Sequence, residues 1–200
     1  MESRRTRTEV RLVSSVARHE TGSDRPVPFA AVVYSATKGD RAALARFAQS
    51  LKDSNVVVGG ILQEKTALGN GLWQIDAVDV ATGSRILINR PTLPTFGKRL
   101  CSLDVSALAE TTAILRTAIA NRVALMVVEK FGDAERDGKG LIDEVFQAIA
   151  AGIPLLIAVP EMHLDAWAVR SGGIGSVLPC EENALREWWE SVQREHVVTP

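Results

Sequence analysis

Continuous apolar runs recur along the chain and carry its clearest structural signal. Five segments have this character: FAAVVYS (29–35), NVVVGGIL (55–62), VALMVVEK (123–130), IPLLIAVP (153–160) and the shorter SVLP (176–179). Runs without a polar side are typical of strands that helices cover on both faces. The pattern therefore predicts five strands of one sheet.

Between these runs, apolar residues recur at every third or fourth position, as in helices. The predicted helices cover residues 39–52, the segment from Asp104 or Ser106 to about Asn121, and residues 141–152, 164–170 and 181–195. Alternating strands and helices predict an α/β fold with a mainly parallel, doubly wound sheet in a three-layer sandwich. Ligands of such sheets bind beyond the carboxyl ends of the strands. That edge holds the loops after Tyr34, Gln63, Lys130 and Pro160.

A third pattern lies between residues 69 and 90. After a loop rich in Gly and Asn, WQIDAVDV (73–80) roughly alternates apolar and polar residues, ATGS is a turn signal and RILINR (85–90) follows. This order predicts an antiparallel β-hairpin carried beside the main sheet. We interpret Trp73 as packing on the sheet, the alternative being that it stacks on a nucleobase.

Composition and charge narrow the classes of protein that need considering. Residues 1–27 hold six arginines and four acids, which predicts a flexible basic tail before a single domain at 28–200. The net charge of −1 gives no global field for nucleic acid, and no apolar run approaches the roughly 20 residues that span a bilayer. Without a signal-peptide pattern, we expect a cytoplasmic protein. Cys101 and Cys180 lack the spacing of a zinc site.

The stretch AAVVYSATKGDRAALARF (30–47) has the outline of a phosphate-binding loop, because an apolar strand leads through a small polar loop into a helix. The free N–H groups at a helix start attract anions whatever the side chains are. Candidate ligand-binding residues there are Ser35, Thr37, Lys38, Gly39 and Arg41. The alternative is that the loop binds nothing and Asp40 is only a charge at the helix start.

Other residues would reach the same edge of the sheet. Lys98 and Arg99 precede Cys101 in an irregular loop, and Lys130 follows a predicted strand. We include these four residues among the candidate ligand-binding residues. Cys101 is either a thiol that contacts the ligand or a small buried residue.

The order of motifs resembles that of the THEP-type nucleoside triphosphatases, which are small single-domain P-loop proteins. The counterparts are Gly59 and Gly60, VDVATGSR (78–85), LDVSALAE (103–110), VVEKFGDAE (127–135) and AGIPLLIAVP (151–160). The resemblance covers about residues 29–169 and implies a P-loop NTPase-like sandwich. It also implies Mg²⁺ and a nucleoside triphosphate as ligands of an active member.

A closer resemblance is to a bacterial family described as a domain of unknown function, often found near molybdate-uptake genes. Its motifs read CSLD (101–104) and EKFGDAERDGKGL (129–141) in this sequence. The resemblance implies that Cys101 occupies the family's cysteine position. It also implies the handling of an oxyanion, with molybdate or tungstate as the candidate.

The loop departs from the pattern of an active triphosphatase. A Walker A loop needs several glycines, a lysine for the β/γ-phosphates and a Ser or Thr for Mg²⁺. Here Asp40 and Arg41 occupy the last two positions and only Gly39 remains of the glycines. Glu129 would be the Walker B acid, with Lys130 in place of its acidic neighbour. We therefore expect a degenerate site without efficient hydrolysis.

Three functions follow as hypotheses. The first is a cytoplasmic protein that binds a small oxyanion, namely molybdate, tungstate or phosphate. The second is a nucleoside triphosphatase with rearranged groups, in which Glu129 would hold Mg²⁺ and Lys38 would replace the missing lysine. The third is a regulatory or assembly module that docks a protein partner, or a second copy, through the tail and the helix carrying Trp188 and Trp189.

Overall fold

The computed structural model describes residues 28–35, 37–69, 71–89 and 105–197. Its strands are β1 (Phe29–Tyr34), β2 (Val58–Gly69), β3 (Leu72–Asp79), β4 (Arg85–Asn89), β5 (Leu125–Glu129), β6 (Leu155–Pro160) and β7 (Ser176–Pro179). Its helices are α1 (Ala43–Asp53), α2 (Val105–Ala120), α3 (Asp133–Arg136), α4 (Ile142–Ala150), α5 (Leu164–Arg170) and α6 (Glu182–Val197), with a 3₁₀ turn at Glu161–His163. The predicted tail and the predicted ligands Lys98, Arg99 and Cys101 lie outside the described residues.

The described strands form one sheet in the order β4-β3-β2-β5-β6-β1-β7. The pairs β2–β5, β5–β6, β6–β1 and β1–β7 are parallel, and β2–β3 and β3–β4 are antiparallel. Strand β6 therefore separates β1 from β5, yet the carboxyl ends of all three meet at one edge of the sheet. The mainly parallel α/β sheet is confirmed.

Two apolar cores lie on opposite faces of the sheet. Strand β1 shows the division, because Ala31 belongs to one core and Ala30 and Val32 belong to the other. The first core holds buried residues of α2, α4 and α5, and the second holds those of α1 and α6. Continuous apolar runs are what this burial on both faces requires. The predicted three-layer sandwich is confirmed.

The added hairpin differs from its prediction in how it joins the sheet. Strand β2 does not end near Gln63 but continues to Gly69, and from Ile61 onward it pairs with β3 (Leu72–Asp79). Residues 64–69 are solvent-exposed, so they lack the apolar signal of a strand, and pairing with β3 satisfies their backbone. The result is a three-stranded antiparallel extension, β2-β3-β4.

One prediction about tryptophan side chains is wrong. Because Trp188 and Trp189 are neighbours on a helix, the sequence predicts one of them at a surface or an interface, but each is only 8% exposed and both belong to the second core. Neighbouring residues lie about 100° apart on a helix, and α6 buries a face wide enough for both. Trp73 lies on the antiparallel extension and is 51% exposed, so its packing on the sheet stays a prediction.

Within the described part of the chain, no helix is both long and apolar enough to cross a bilayer.

Candidate functional site

The loop after β1 directs its backbone amides at the protein itself. The amides of Thr37 and Lys38 donate to Ser35 Oγ (3.4 and 3.0 Å), and the Ser35 amide donates to the Lys38 carbonyl (2.9 Å). The Asp40 amide donates to the carbonyl of Cys180 (2.9 Å). An anion at this loop would have to replace those acceptors, so these four amides do not form the open cradle that the sequence predicts.

The helix after this loop begins later than predicted, and the carboxylate of Asp40 lies just before its start. Helix α1 begins at Ala43, and Asp40 lies before it. Its carboxylate accepts the Ala42 amide (3.0 Å) and forms an ion pair with Arg46. The hydrogen bond from Arg46, with that from the Ala42 amide, lowers the pKa of Asp40. Asp40 thus supplies the negative charge that the helix start favours.

Gly39 and Cys180 hold the loop against the segment between β7 and α6. Gly39 has φ +87°, and a Cβ there would lie 3.1 Å from Cys180 Cβ, so the position suits glycine. The Cys180 thiol donates to the Asp40 carbonyl at 3.2 Å. Burial, and next the charge of Glu129, raises the pKa of this thiol. Cys180 is therefore a structural residue of the loop.

The carboxylate of Glu129 is the centre of the charged edge. It ends β5 and is 8% exposed. One oxygen accepts the amide of Gln63 on β2 at 3.0 Å, and the other lies 4.0 Å from Arg41 Nη2. Burial raises the pKa of Glu129, against the lowering effects of the Gln63 amide and the nearby cations. This buried acid would be costly without the charges around it.

Three cations surround Glu129. The Arg41 guanidinium lies over the Tyr34 ring at 4.9 Å from its centroid, which fixes it beside β1. Lys65 on β2 and Lys130 after β5 both act on the carboxylate electrostatically. Partial burial, followed by repulsion from Arg41 and Lys130, lowers the pKa of Lys65. With Glu129 ionised, three cations against one carboxylate leave two positive charges in excess.

The structure divides the residues that the sequence grouped into one site. Arg41, Lys130 and Glu129 come together at the carboxyl end of β5, beside the middle of β2. Ser35, Lys38 and Gly39 instead line a separate cleft of about 530 Å³ along β7. Thr37 is exposed and its amide is bonded to Ser35.

Lys65 is the functional candidate that sequence reasoning missed. It lies in the exposed half of β2, which carries no apolar pattern, and its approach to Arg41 depends on the extended strand. Among the described residues, no three His, Cys, Asp or Glu side chains stand together as a metal site.

A second cavity opens directly beside Glu129 and Lys130. Its volume is about 280 Å³, and it lies between α2, the antiparallel extension and the loop after β5. Its lining combines apolar residues of β2, β3, β4 and α2 with polar and charged side chains, namely Gln63, Thr111, Glu129, Lys130, Asp133, Glu135 and His163. The cationic edge and this cavity thus share residues.

Comparisons with known proteins agree with this architecture. A family model described as "Protein of unknown function (DUF2478)" matches residues 29–188. A relative, "Molybdenum import ATP-binding protein ModC 2" of Bradyrhizobium diazoefficiens, is 40% identical over 165 residues. The match covers 82% of this chain and 18% of that relative, so the chain spans less than a fifth of the relative's length.

A solved structure, titled "Solution Structure of a Human Cancer-Related Nucleoside Triphosphatase", has the same fold. Its TM-score is 0.58 at 20% sequence identity, and the match covers 85% of this chain and 99% of that one. The predicted P-loop NTPase-like architecture is thereby confirmed.

Proposed function

Because the chain belongs to the DUF2478 family, and three cations surround one buried carboxylate at its ligand edge, we propose that it binds a small oxyanion. Molybdate or tungstate is the leading candidate and phosphate is the alternative. Binding takes place in the cytoplasm and without efficient hydrolysis of nucleoside triphosphates. The site is the cluster of Arg41, Lys65 and Lys130 around Glu129, and not the amides of the loop after β1.

The observation that carries this proposal is the excess of positive charge around Glu129. Arg41 and Glu129 approach to 4.0 Å, which is too long for a strong paired hydrogen bond. Lys65 and Lys130 act on the same carboxylate, and the neighbouring Glu135 has both of its oxygens bonded to backbone amides. A dianion placed among them would balance the charge and relieve their mutual repulsion. The planar guanidinium of Arg41 suits two oxygens of a tetrahedral anion.

The choice of molybdate rests on the relative whose name includes molybdenum import. That name describes a much longer protein, and a matching segment of its chain is 40% identical to this one. Tungstate has the same shape and charge as molybdate, so the site would not separate the two. Phosphate remains the alternative because it is also a tetrahedral anion, and the cluster would recognise only charge and tetrahedral shape.

The triphosphatase hypothesis has weaker support in the geometry of the site. Asp40 stands at the position of the phosphate-binding lysine and holds a negative charge at the loop. Glu129 already accepts the Gln63 amide and faces Arg41, so its two oxygens are directed at donors. Magnesium would have to displace both interactions. Hydrolysis therefore stays the rival hypothesis in the experiment.

A thermal-shift screen tests the proposal. We expect molybdate and tungstate to raise the melting temperature by roughly 5–10 °C at about 100 times the dissociation constant. Sulfate, phosphate, and ATP or GTP with and without Mg²⁺ complete the panel. Arg41→Ala should abolish the shift, because it removes the bidentate donor. Arg186→Ala removes an exposed arginine of α6 and should leave the shift intact.

The outcomes separate the three hypotheses. A shift with nucleotide that requires Mg²⁺, together with release of phosphate, would favour the triphosphatase. No shift with any anion would contradict binding at this site and leave the docking module, which the burial of Trp188 and Trp189 already weakens. An anion shift that survives Arg41→Ala would show that the site lies elsewhere.

A further inference from the structure

Strand β7 is covered on only one of its two faces by the described residues. Its residues Val177 and Leu178 pair with Ala31 and Val32 of β1, and paired residues of neighbouring strands point to the same face of a sheet. Leu178 packs against the second core with Val32. Val177 points to the face of the first core, yet it is 59% exposed. Because strands of a parallel sheet are normally covered on both faces, β7 lacks a layer on this side.

Other exposed apolar side chains adjoin this bare face. Of the seven large apolar side chains that are exposed among the described residues, four lie between the end of β6 and β7, namely Met162, Val169, Ile174 and Val177. Val169 lies in α5 and Ile174 in the turn that joins α5 to β7. We call Val169, Ile174 and Val177 the edge patch. A concentration of exposed apolar side chains marks a surface that contacts another segment or another protein.

Residues 1–27 leave the described structure beside the edge patch. The described chain begins at Pro28, and the ring of Phe29 makes an edge-to-face contact with Trp167 of α5, with 6.2 Å between the centroids. A Cβ on Gly175, the residue before β7, would clash with the same ring. Phe29 therefore connects α5 to the start of β7, and the preceding residues emerge between them.

These preceding residues contain a short amphipathic pattern. At 100° per residue, one arc of about 160° holds only apolar side chains. They are Val10, Leu12, Val13, Val16 and Ala17, and the opposite arc holds Arg11, Ser14, Ser15 and Arg18. The pattern predicts a helix over residues 10–17. A helix of this length is marginal in water and needs an apolar surface to pack on.

The reach and the charge of this segment fit the edge patch. Residues 18–27 connect it to Pro28, and an extended chain of that length spans roughly 33 Å, whereas β7 is the strand next to β1 and neighbouring strands lie about 5 Å apart. Residues 1–27 hold six arginines and four acids. Asp165, which is exposed on α5 one turn before Val169, offers an opposite charge beside the patch.

We propose that residues 10–17 form a helix that lies on the edge patch and covers the bare face of β7 beside α5. The occupant of this surface is thus a segment of the same chain. The helix completes the layer over the sheet and removes Val169, Ile174 and Val177 from water, which stabilises the docked state. The predicted flexible tail is then limited to the residues before this helix and to its connection to Pro28.

Hydrogen–deuterium exchange of the full chain, measured by mass spectrometry, tests this inference. Docking holds the backbone amides of residues 10–17 in helical hydrogen bonds, so their exchange reports on it directly. We expect these amides to exchange at least tenfold more slowly in the wild type than in a variant that cannot dock. The measurement is made at two protein concentrations that differ tenfold, and the exchange rates should be the same at both.

Three variants with the same change in charge supply the comparison. Val177→Lys places a cation on the edge patch, and Val13→Lys places one in the middle of the apolar arc of residues 10–17. Each should abolish the slow exchange. Leu68→Lys replaces an exposed apolar side chain of the antiparallel extension and should keep the exchange of the wild type. Val177 is itself exposed, and Val13 lies before the described fold, so the two docking variants act independently of each other.

Each outcome decides for or against the docked helix. Fast exchange of residues 10–17 in the wild type would overturn it. Slow exchange that survives Val177→Lys would place the segment on another surface and would equally overturn it. Slow exchange that is lost on dilution would show that the segment binds a second copy and not its own chain. None of these results depends on whether the charged edge around Glu129 binds an anion.

Discussion

Glu129 shows how one residue can set the charge of the whole site. Its carboxylate is buried at the end of β5, where burial raises its pKa above the ordinary 4.5 and the Gln63 amide and three cations oppose that rise. While ionised, it cancels one of the three neighbouring positive charges. Protonation removes that cancellation, so the proton and an anion would bind this site cooperatively.

The first prediction concerns the pH dependence of anion binding. As pH falls through the raised pKa of Glu129, the carboxylate takes up a proton and the excess charge grows from two to three. Sulfate, which stays a dianion throughout this titration, should therefore bind at least about threefold more tightly below the pKa of Glu129 than above it. Calorimetric titrations across this range measure the change.

Glu129→Gln is the control for that profile. The amide cannot ionise, so the variant should bind sulfate with nearly the same affinity at both ends of the range. Lys65, whose pKa is lowered, gains its proton at higher pH and would change affinity only on the alkaline side. If the Glu129→Gln variant still binds sulfate more tightly at low pH, a group other than Glu129 causes the increase in affinity.

The same shift has a consequence for stability. An acid whose pKa is raised by folding costs stability as pH rises from 4.5 through the folded pKa, and the cost is constant above it. Wild type should therefore lose stability relative to Glu129→Gln over that window. Urea unfolding of both proteins at several pH values measures the difference, and a constant difference would contradict the buried, ionising carboxylate.

At the scale of residues, the sequence places Arg41, Lys130 and Glu129 at one edge of the sheet, because each lies at the end of a predicted strand or in the loop that follows one. The engaged amides of the loop after β1 were not predictable. Their acceptors include the carbonyl of Cys180, and no local pattern relates that residue to Asp40. Lys65 was missed because an exposed, antiparallel stretch of strand has no apolar signature.

At the scale of elements, β2 carries the site through its glycines. Gly59 lies against α2, where an added Cβ would be 2.9 Å from Ala118 Cβ. Gly60 pairs with Val127 on β5 at φ +114°, and a Cβ there would lie 1.9 Å from the Val127 carbonyl oxygen. This close approach of β2 to β5 brings the Gln63 amide to Glu129. The paired glycines in the sequence thus position the charged edge.

Gly60→Ala should therefore destroy the fold or cost more than about 4 kcal/mol, because neither backbone can move without breaking the sheet. Gly69→Ala, on the same strand at φ +88° with nothing within 4 Å of its built Cβ, should cost only about 1 kcal/mol. Urea unfolding compares the two. Similar losses for both variants would mean that backbone conformation alone, and not the approach to β5, explains Gly60.

The order of elements could be predicted because a parallel sheet that is buried on both faces requires apolar strands and helices with one apolar face. Both leave a clear pattern in the sequence. The extension of β2 could not be predicted, because pairing with β3 depends on backbone hydrogen bonds that leave no trace in side-chain hydrophobicity. The hairpin of β3 and β4, by contrast, was predicted from its turn.

At the scale of the whole molecule, net charge and local charge have opposite signs. The chain carries −1 overall, whereas the cluster around Glu129 carries an excess of two positive charges. An anion would therefore be attracted to one edge of a slightly negative protein. Such attraction depends on distance and is weakened by salt.

Two variants with equal net charge separate these effects. Lys65→Gln should weaken sulfate binding about three- to tenfold, since it removes a charge from the cluster. Arg194→Gln makes the same change in net charge on the exposed part of α6 and should leave binding unchanged. Calorimetry at two salt concentrations measures both. Equal weakening by the two variants would mean that the overall field, and not the cluster, attracts the anion.

The hydrogen bonds between Cys180 and Asp40 also have a consequence for protein synthesis, because the two residues are made at different times. The Asp40 amide donates to the Cys180 carbonyl, and the Cys180 thiol donates to the Asp40 carbonyl, although 140 positions of the chain separate the two residues. A ribosome delivers the first strand and its loop long before it delivers position 180. The nascent chain thus emerges with Arg41 already present but with its loop untethered, and the anchor forms only when synthesis has passed Cys180.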